Sequence, residues 1–283
     1  MRRRDVSALW IGGPLGHLEQ LALTSFRDHG FSVNLYTYDE VGGVPSGIAI
    51  VSADEILPKN SIFENKARPG TFSGFSNIFR YRLLQLKKTT WIDTDVVCLD
   101  ENLPSGNYLF AWESKKFVNG AVLRAPSDST LLELLYTRAV AVEPASIQWG
   151  QLGPRLITSV VKELGLENTV ARQKTIYPLS YREIWQVFDP SMILSLRRKT
   201  QGSPTLHLWN EVLRNTPAKT QAPPPGSFLA ELMERHDIAF PREQLDVGWL
   251  RRDWRPQINP RPFESGFMEQ RAGRLLRLMR LKR

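Results

Sequence analysis

A single cysteine, Cys98, in 283 residues excludes an internal disulfide. Its place within Val96-Val97-Cys98-Leu99 reads it as a small buried hydrophobe rather than a nucleophile. No apolar run approaches the roughly 20 residues that a membrane-crossing helix needs. The opening MRRRDVSALWIGG has no apolar stretch leading to a cleavage site. These absences set the expectation of a protein kept in the reducing cytoplasm. There is also no internal repeat. What is present, 42% hydrophobic residues and eight tryptophans, is the composition of a folded globule. The net charge of +8 is unevenly spread: from Arg242 onward there are eleven basic and five acidic residues. A nucleic-acid-binding face would interleave basic and aromatic residues over a surface, so charge confined to one end argues against that partner.

Along the chain, apolar runs at Val6–Ile11, Ser32–Tyr38, Gly47–Val51, Thr90–Ile92, Tyr108–Trp112, Val118–Leu123 and Thr205–Trp209 read as strands. Helical spacing marks His17–His29, Phe75–Leu86 with Ser76 as its N-cap, Ser129–Val142 and Gln151–Leu164. Strands alternating with helices predict an α/β domain with a mainly parallel central sheet over residues 1–216. Pro217–Ser227 (PAKTQAPPPGS) reads as a proline-rich linker, and residues 228–283 as a C-terminal helical extension. Its tail, GFMEQRAGRLLRLMRLKR, spaces Arg271, Arg274, Arg277 and Arg280 three apart with leucines between. As a helix it presents a basic and an apolar stripe, which suits either an anionic membrane surface or packing on the domain.

The stretch Thr90–Asp100, TWIDTDVVCLD, places two carboxylates two residues apart between apolar runs. In one extended segment Asp93 and Asp95 face the same way. At the carboxyl end of a parallel strand they would face the crevice where α/β sheets bind ligands. Like charges so placed repel unless a cation neutralises them, and oxygen ligands favour Mg²⁺ or Mn²⁺ shared with substrate phosphates. A solvated strand exit is the plainer reading of the tripeptide alone. A second functional reading takes Asp93 as the nucleophile of a D-x-D-x-[TV] phosphatase, but that needs an acidic cluster which does not follow in the sequence.

The surrounding segments add to this. LWIGGPL (9–15), FSNIFRYRLLQL (75–86), WIDTDVVCL (91–99), FVNGAVLRAP (117–126), WGQLGPRLIT (149–158) and LHLWNE (206–211) occur in this order. Together they resemble the DXD sugar-nucleotide glycosyltransferases related to the α-1,4-galactosyltransferases and, more distantly, the glucosylating clostridial toxins. The resemblance implies a GT-A fold and retaining transfer of a hexose from a nucleotide sugar, with Mn²⁺ or Mg²⁺ as cofactor. By that resemblance Trp10 stacks on a uracil ring and Arg80 lies near the nucleotide. Asp93 and Asp95 are the DXD pair, and His207 is a late metal ligand. Trp209 and Asn210 lie at the diphosphate, while Glu113, Asn119, Gln151 and Gly153 line the sugar and acceptor pocket. Asn77 stands where the family carries aspartate beside the nucleotide, and an amide cannot pair ionically with a nearby arginine. The expected function is transfer from a UDP-hexose to a glycan or glycolipid, with the enzyme peripheral at the inner membrane. A domain that binds nucleotide sugar without turnover is the alternative.

Overall fold

A strand apolar on both faces must be covered on both, and β1 (Asp5–Trp10, DVSALW) is such a strand. The computed structural model describes residues 4–66 and 69–254, and it places β1 inside a six-stranded sheet. The other strands are β2 (Ser32–Thr37), β3 (Ala49–Ser52), β4 (Thr90–Ile92), β6 (Leu109–Trp112) and β7 (Val118–Arg124), in the order β3-β2-β1-β4-β7-β6. Neighbours from β3 to β4 run parallel, and β7 and β6 add antiparallel pairings. A second, two-stranded sheet pairs β5 (Val96–Cys98) antiparallel with β8 (Thr205–His207), setting Val96 opposite His207. This is the expected α/β arrangement, with a mainly parallel central sheet.

Each face of the sheet has its own apolar layer. Val6, Ala8, Val33 and Leu35 pack with Leu18, Leu21 and Phe26 of α1 (His17–Asp28). Leu9, Tyr36 and Trp91 face the other way, onto α2 (Ser73–Leu86), α3 (Thr130–Val140) and α4 (Leu156–Glu163). The short α5 (Gln173–Ile176), α6 (Ile193–Thr200), α7 (Asn210–Leu213) and α8 (Phe228–Arg235) follow. Because β2 and β4 lie on opposite sides of β1, the strand order reverses there, which opens a crevice at the carboxyl ends of β1 and β4. Trp10 ends β1, and Asp93 follows β4 directly.

Four local readings are corrected. Asp93 and Asp95 do not share one extended segment: Val96 N–H donates to Asp93 O at 3.0 Å, closing a turn that carries the chain from the large sheet into the small one. Helix α2 begins at Ser73, so Ser76 lies inside it rather than capping it, because Ser76 N–H bonds back to Phe72 O. The stretch from Gln151 starts as a wide turn over Gln151–Arg155, broken by Gly153 (φ −102°, ψ −114°), before α4 begins. Finally, Ala218 and Ala222 are buried within Pro217–Ser227, and Phe228, Leu229, Leu232 and Met233 of α8 share the α1-side core. Among the described residues that segment is thus packed against the body. Among the described residues no helix is long and apolar enough to cross a membrane. The basic tail from Gly266 lies outside the described residues.

Candidate active site

The turn after β4 owes its shape to backbone bonds on both sides. Asp93 N–H donates to Ala121 O on β7 at 2.8 Å, and Leu208 N–H, just past β8, donates to Asp95 O at 2.8 Å. The two carboxyl groups are thereby pinned between two sheets. Asp93 Oδ1 accepts from Arg80 Nη2 of α2 at 2.7 Å and from Trp91 Nε1 at 2.6 Å. The Arg80 guanidinium also lies over the Trp91 ring, 4.9 Å from its centroid. Burial raises the Asp93 pKa; Arg80 pulls it down and Asp95 pushes it up again. The burial is incomplete, since 29% of the Asp93 side-chain surface still meets the cleft.

Asp95 Oδ2 lies 3.2 Å from His207 Nε2 and accepts from Asn210 N–H at 2.7 Å. Burial would raise the Asp95 carboxyl, but the imidazole and the Asn210 amide outweigh it and hold it below the usual range. His207 moves the opposite way. Burial would lower it, yet Asp95, with Asp93 and Glu113 behind, holds it above the ordinary value. The His207 ring thus faces one carboxylate and the Arg80 guanidinium the other.

One donor atom from each of Asp93, Asp95 and His207 falls within 4.8 Å of the others. Two carboxylates and an imidazole are ligand types that suit Mn²⁺ or Mg²⁺, so the residues fit such an ion. Buried His207 Nδ1 has no hydrogen-bond partner among the described residues. Next to it, Trp209 adopts a left-handed backbone (φ 54°, ψ 52°), a conformation that strains a bulky residue by about 1–3 kcal/mol. It is held by its Nε1–H donating to Leu179 O at 3.1 Å and by its ring lying 4.0 Å from that of His207.

These groups open onto a cleft of about 370 Å³, the size of a small-molecule site. Trp10, Asn77, Arg80, Asp93, Asp95, Asn119, His207, Trp209 and Asn210 all line it. Trp10 is half-buried, with its Nε1–H tied to Gly13 O at 2.7 Å. Asn77 donates from Nδ2 to Ser73 O at 2.6 Å, so its amide serves its own helix while Arg80 goes to Asp93.

Glu113, Gln151 and Gly153 do not line the cleft. Gln151 Oε1 accepts from Gln148 N–H at 2.8 Å, and a Cβ at Gly153 would meet Asn77 Oδ1 at 3.2 Å. Glu113 sits behind Asn119, accepting from its Nδ2 at 2.6 Å, while Asn119 Oδ1 takes the Ala121 N–H at 2.6 Å. Trp149 and Tyr181, which sequence reasoning missed, complete the wall. Trp149 heads one of the motif segments, but nothing in its spacing distinguished it from a core residue.

Burial pushes the Glu113 carboxyl up to about 7, against a smaller pull from Asn119. A carboxyl whose folded pKa lies above its unfolded value lowers stability as pH rises through the interval between them, here about 4.5 to 7. Replacing Glu113 by glutamine should therefore leave stability near pH 4 unchanged and raise it by up to about 3 kcal/mol at pH 8. Thermal unfolding of both proteins across that range checks this, and parallel profiles would contradict it.

Residues 145–236 match the family described as "Alpha 1,4-glycosyltransferase conserved region". That stretch holds Trp149, His207, Trp209 and Asn210, but not the Asp93–Asp95 turn. No curated protein matches the chain in sequence. Among solved structures, the PaToxG glycosyltransferase is 9% identical with a TM-score of 0.43, covering 59% of this chain and 71% of its own. The apo-form glycosyltransferase GlyE of Streptococcus pneumoniae TIGR4 is 14% identical with a TM-score of 0.41, covering 90% of this chain and 64% of its own. The bifunctional glycosyltransferase WbbM in its apo structure is 10% identical with a TM-score of 0.41, and this chain spans 50% of it while being covered over 90%. Over residues 145–236 the chain thus resembles the α-1,4-glycosyltransferases.

Proposed function

We propose that this protein is a metal-dependent retaining glycosyltransferase that moves a hexose from a UDP-sugar to a glycan or glycolipid acceptor. The observation that carries the reading is the convergence of Asp93, Asp95 and His207, from positions far apart in the chain, at one wall of the cleft. Held there, Mn²⁺ or Mg²⁺ would supply positive charge against the diphosphate that leaves the sugar.

The protein's own groups do the rest. Arg80, fixed by Asp93 and Trp91, offers a guanidinium at the same wall, where it favours the charge that grows on the leaving diphosphate. Trp10, at the end of β1, offers an aromatic surface for a planar base. Asn119 lines the cleft with its amide held in place by Glu113 and the Ala121 N–H. The walls bearing Trp149 and Tyr181 would place the acceptor hydroxyl beside the anomeric carbon, and such positioning contributes about 7–11 kcal/mol. Retention then follows from attack on the face that the diphosphate leaves.

The test is calorimetric titration of UDP and of GDP into the purified protein, with and without Mn²⁺. Metal-dependent binding of UDP in preference to GDP is expected, followed by hexose release from one member of a UDP-sugar panel. The absence of metal-dependent binding of either nucleotide would overturn the reading. Asn77 favours one alternative, a domain that binds nucleotide sugar without turnover, because its amide is engaged with its own helix. That alternative predicts donor binding with no hydrolysis of any UDP-sugar. The basic tail suits an anionic surface: deleting Gly266–Arg283 should release the protein from anionic vesicles while nucleotide binding stays unchanged. Co-sedimentation with vesicles checks this, and equal sedimentation after the deletion would refute it.

A further inference from the structure

The lip of the cleft is held from behind by a carboxylate that does not touch the cleft. Glu19, in the first turn of α1, is 1% exposed. Its Oε2 accepts from Gly16 N–H at 3.1 Å, which is enough to cap the helix. Its Oε1 does something a cap does not require: it accepts from Asn210 Nδ2 at 2.6 Å and from Lys219 Nζ. Asn210 in turn donates its backbone N–H to Asp95 Oδ2. A continuous line of hydrogen bonds therefore runs from α1, through the side chain and then the main chain of Asn210, to the second carboxylate of the turn.

Two features show that this line sets a position rather than merely filling space. An ionised carboxylate only accepts, so it fixes which way the Asn210 amide faces and thereby the torsions of that residue. The residue before it, Trp209, is in the left-handed region, a state that persists only where the surroundings over-determine it. The charge on Glu19 is matched by Lys219 rather than by His17, whose imidazole burial pushes down to about 4 and keeps neutral.

We propose that Glu19 is a positioning residue for the metal-binding turn. With Lys219 it anchors Asn210, so that the Asn210 N–H holds Asp95 Oδ2 in register with His207. The link to a metal rests on the function proposed above, whereas the anchoring of the lip does not.

The test uses the full chain and two readouts. The first is backbone amide exchange over residues 208–213 in metal-free protein, where the Leu208, Asn210 and Val212 amides are all hydrogen-bonded. The second is Mn²⁺ affinity, measured by electron paramagnetic resonance on the metal alone. Glu19→Gln keeps the shape but has a single acceptor oxygen, so it cannot serve both the helix cap and the lip. Asn210→Ala cuts the same line while leaving Glu19, Lys219 and the backbone donor in place.

In both variants, exchange over 208–213 should speed up tenfold or more while the amides of β1 and β2 stay protected. Mn²⁺ should bind about 10–100-fold more weakly, the usual effect of losing an outer partner of a metal ligand. The double variant should be no worse than either single one, because both cut one line. Unchanged exchange over 208–213 in folded Glu19→Gln, or fully additive effects in the double variant, would overturn the proposal. If exchange responds as expected but the unmodified protein binds Mn²⁺ neither alone nor with UDP or GDP, the positioning of the lip stands and the metal-dependent function falls.

Discussion

On the proposed function, replacing Asp95 by alanine should weaken Mn²⁺-dependent binding of UDP by more than about a hundredfold while the protein stays folded. Losing an outer partner of a metal ligand typically weakens binding about 10–100-fold, and a direct ligand carrying a full charge should exceed the top of that range. The effect on folding is smaller because two changes oppose each other. Asn210 N–H and His207 lose their acceptor, a penalty of about 1–3 kcal/mol. Against that, Asp93 is relieved of a like charge that helps hold its pKa up. Calorimetry with and without Mn²⁺ separates the two effects, and thermal unfolding reports the second. Metal-dependent UDP binding that survives in Asp95→Ala would reduce the turn after β4 to a strand exit.

The same geometry fixes the sign of the pH dependence. His207 holds its proton more tightly than an ordinary histidine because Asp95 faces it, so a cation must displace that proton. Ion affinity in the unaltered protein should therefore fall as pH drops, by about tenfold per unit below the His207 pKa if one proton is exchanged. Asp95→Asn is the useful companion, since it keeps an acceptor for Asn210 and removes the charge.

The second large effect is expected at Arg80, and it reads out as stability. Its side chain is 7% exposed and is tied to Asp93 at 2.7 Å. Removing one partner of a fully buried pair costs about 3–5 kcal/mol, because the other charge is left uncompensated. The partial exposure of Asp93 to the cleft places Arg80→Ala nearer about 2–3 kcal/mol, a fall in melting temperature of roughly 5–10 °C. Packing adds to the electrostatic term. A Cβ at Gly120 would sit 2.6 Å from Arg80 Nη1, so the guanidinium fills the space that this glycine leaves, and truncation opens it.

Arg80→Lys should recover little, since an ammonium neither forks onto a carboxylate nor lies flat on Trp91. Adding Asp93→Asn to Arg80→Ala should regain part of the loss by removing the stranded charge. Differential scanning calorimetry of the three variants decides this. An unchanged melting temperature in Arg80→Ala would show that the pair does not hold the turn in place.

Much of the framework was legible from pattern. Both faces of Val6–Trp10 are apolar, which marks a strand covered on both sides, and the spacing of Leu18, Leu21, Ala22 and Phe26 marks one face of a helix. Asp-x-Asp after an apolar run marked the turn, although it was taken for a straight strand. The segments from Leu9 to Glu211 carried the site by resemblance, and nine of the residues named from them meet in one cleft.

The sequence by itself determined what is local: element type, strand order along the chain, and the presence of two carboxylates that need a cation. The tertiary structure alone decided which side chains face them. Arg80 reaches Asp93 from α2, and His207 reaches Asp95 across 112 residues because β8 pairs with β5. It also decided that Asn77 serves its own helix, that Glu113 stands behind Asn119, and that Glu19 grips Asn210 across 191 residues. Periodicity reports the face on which a side chain lies, because that depends on neighbours in the chain. Partners brought together by sheet topology leave no such trace: each needs only a donor and an acceptor within about 3 Å, and nothing in the spacing of either residue records the other.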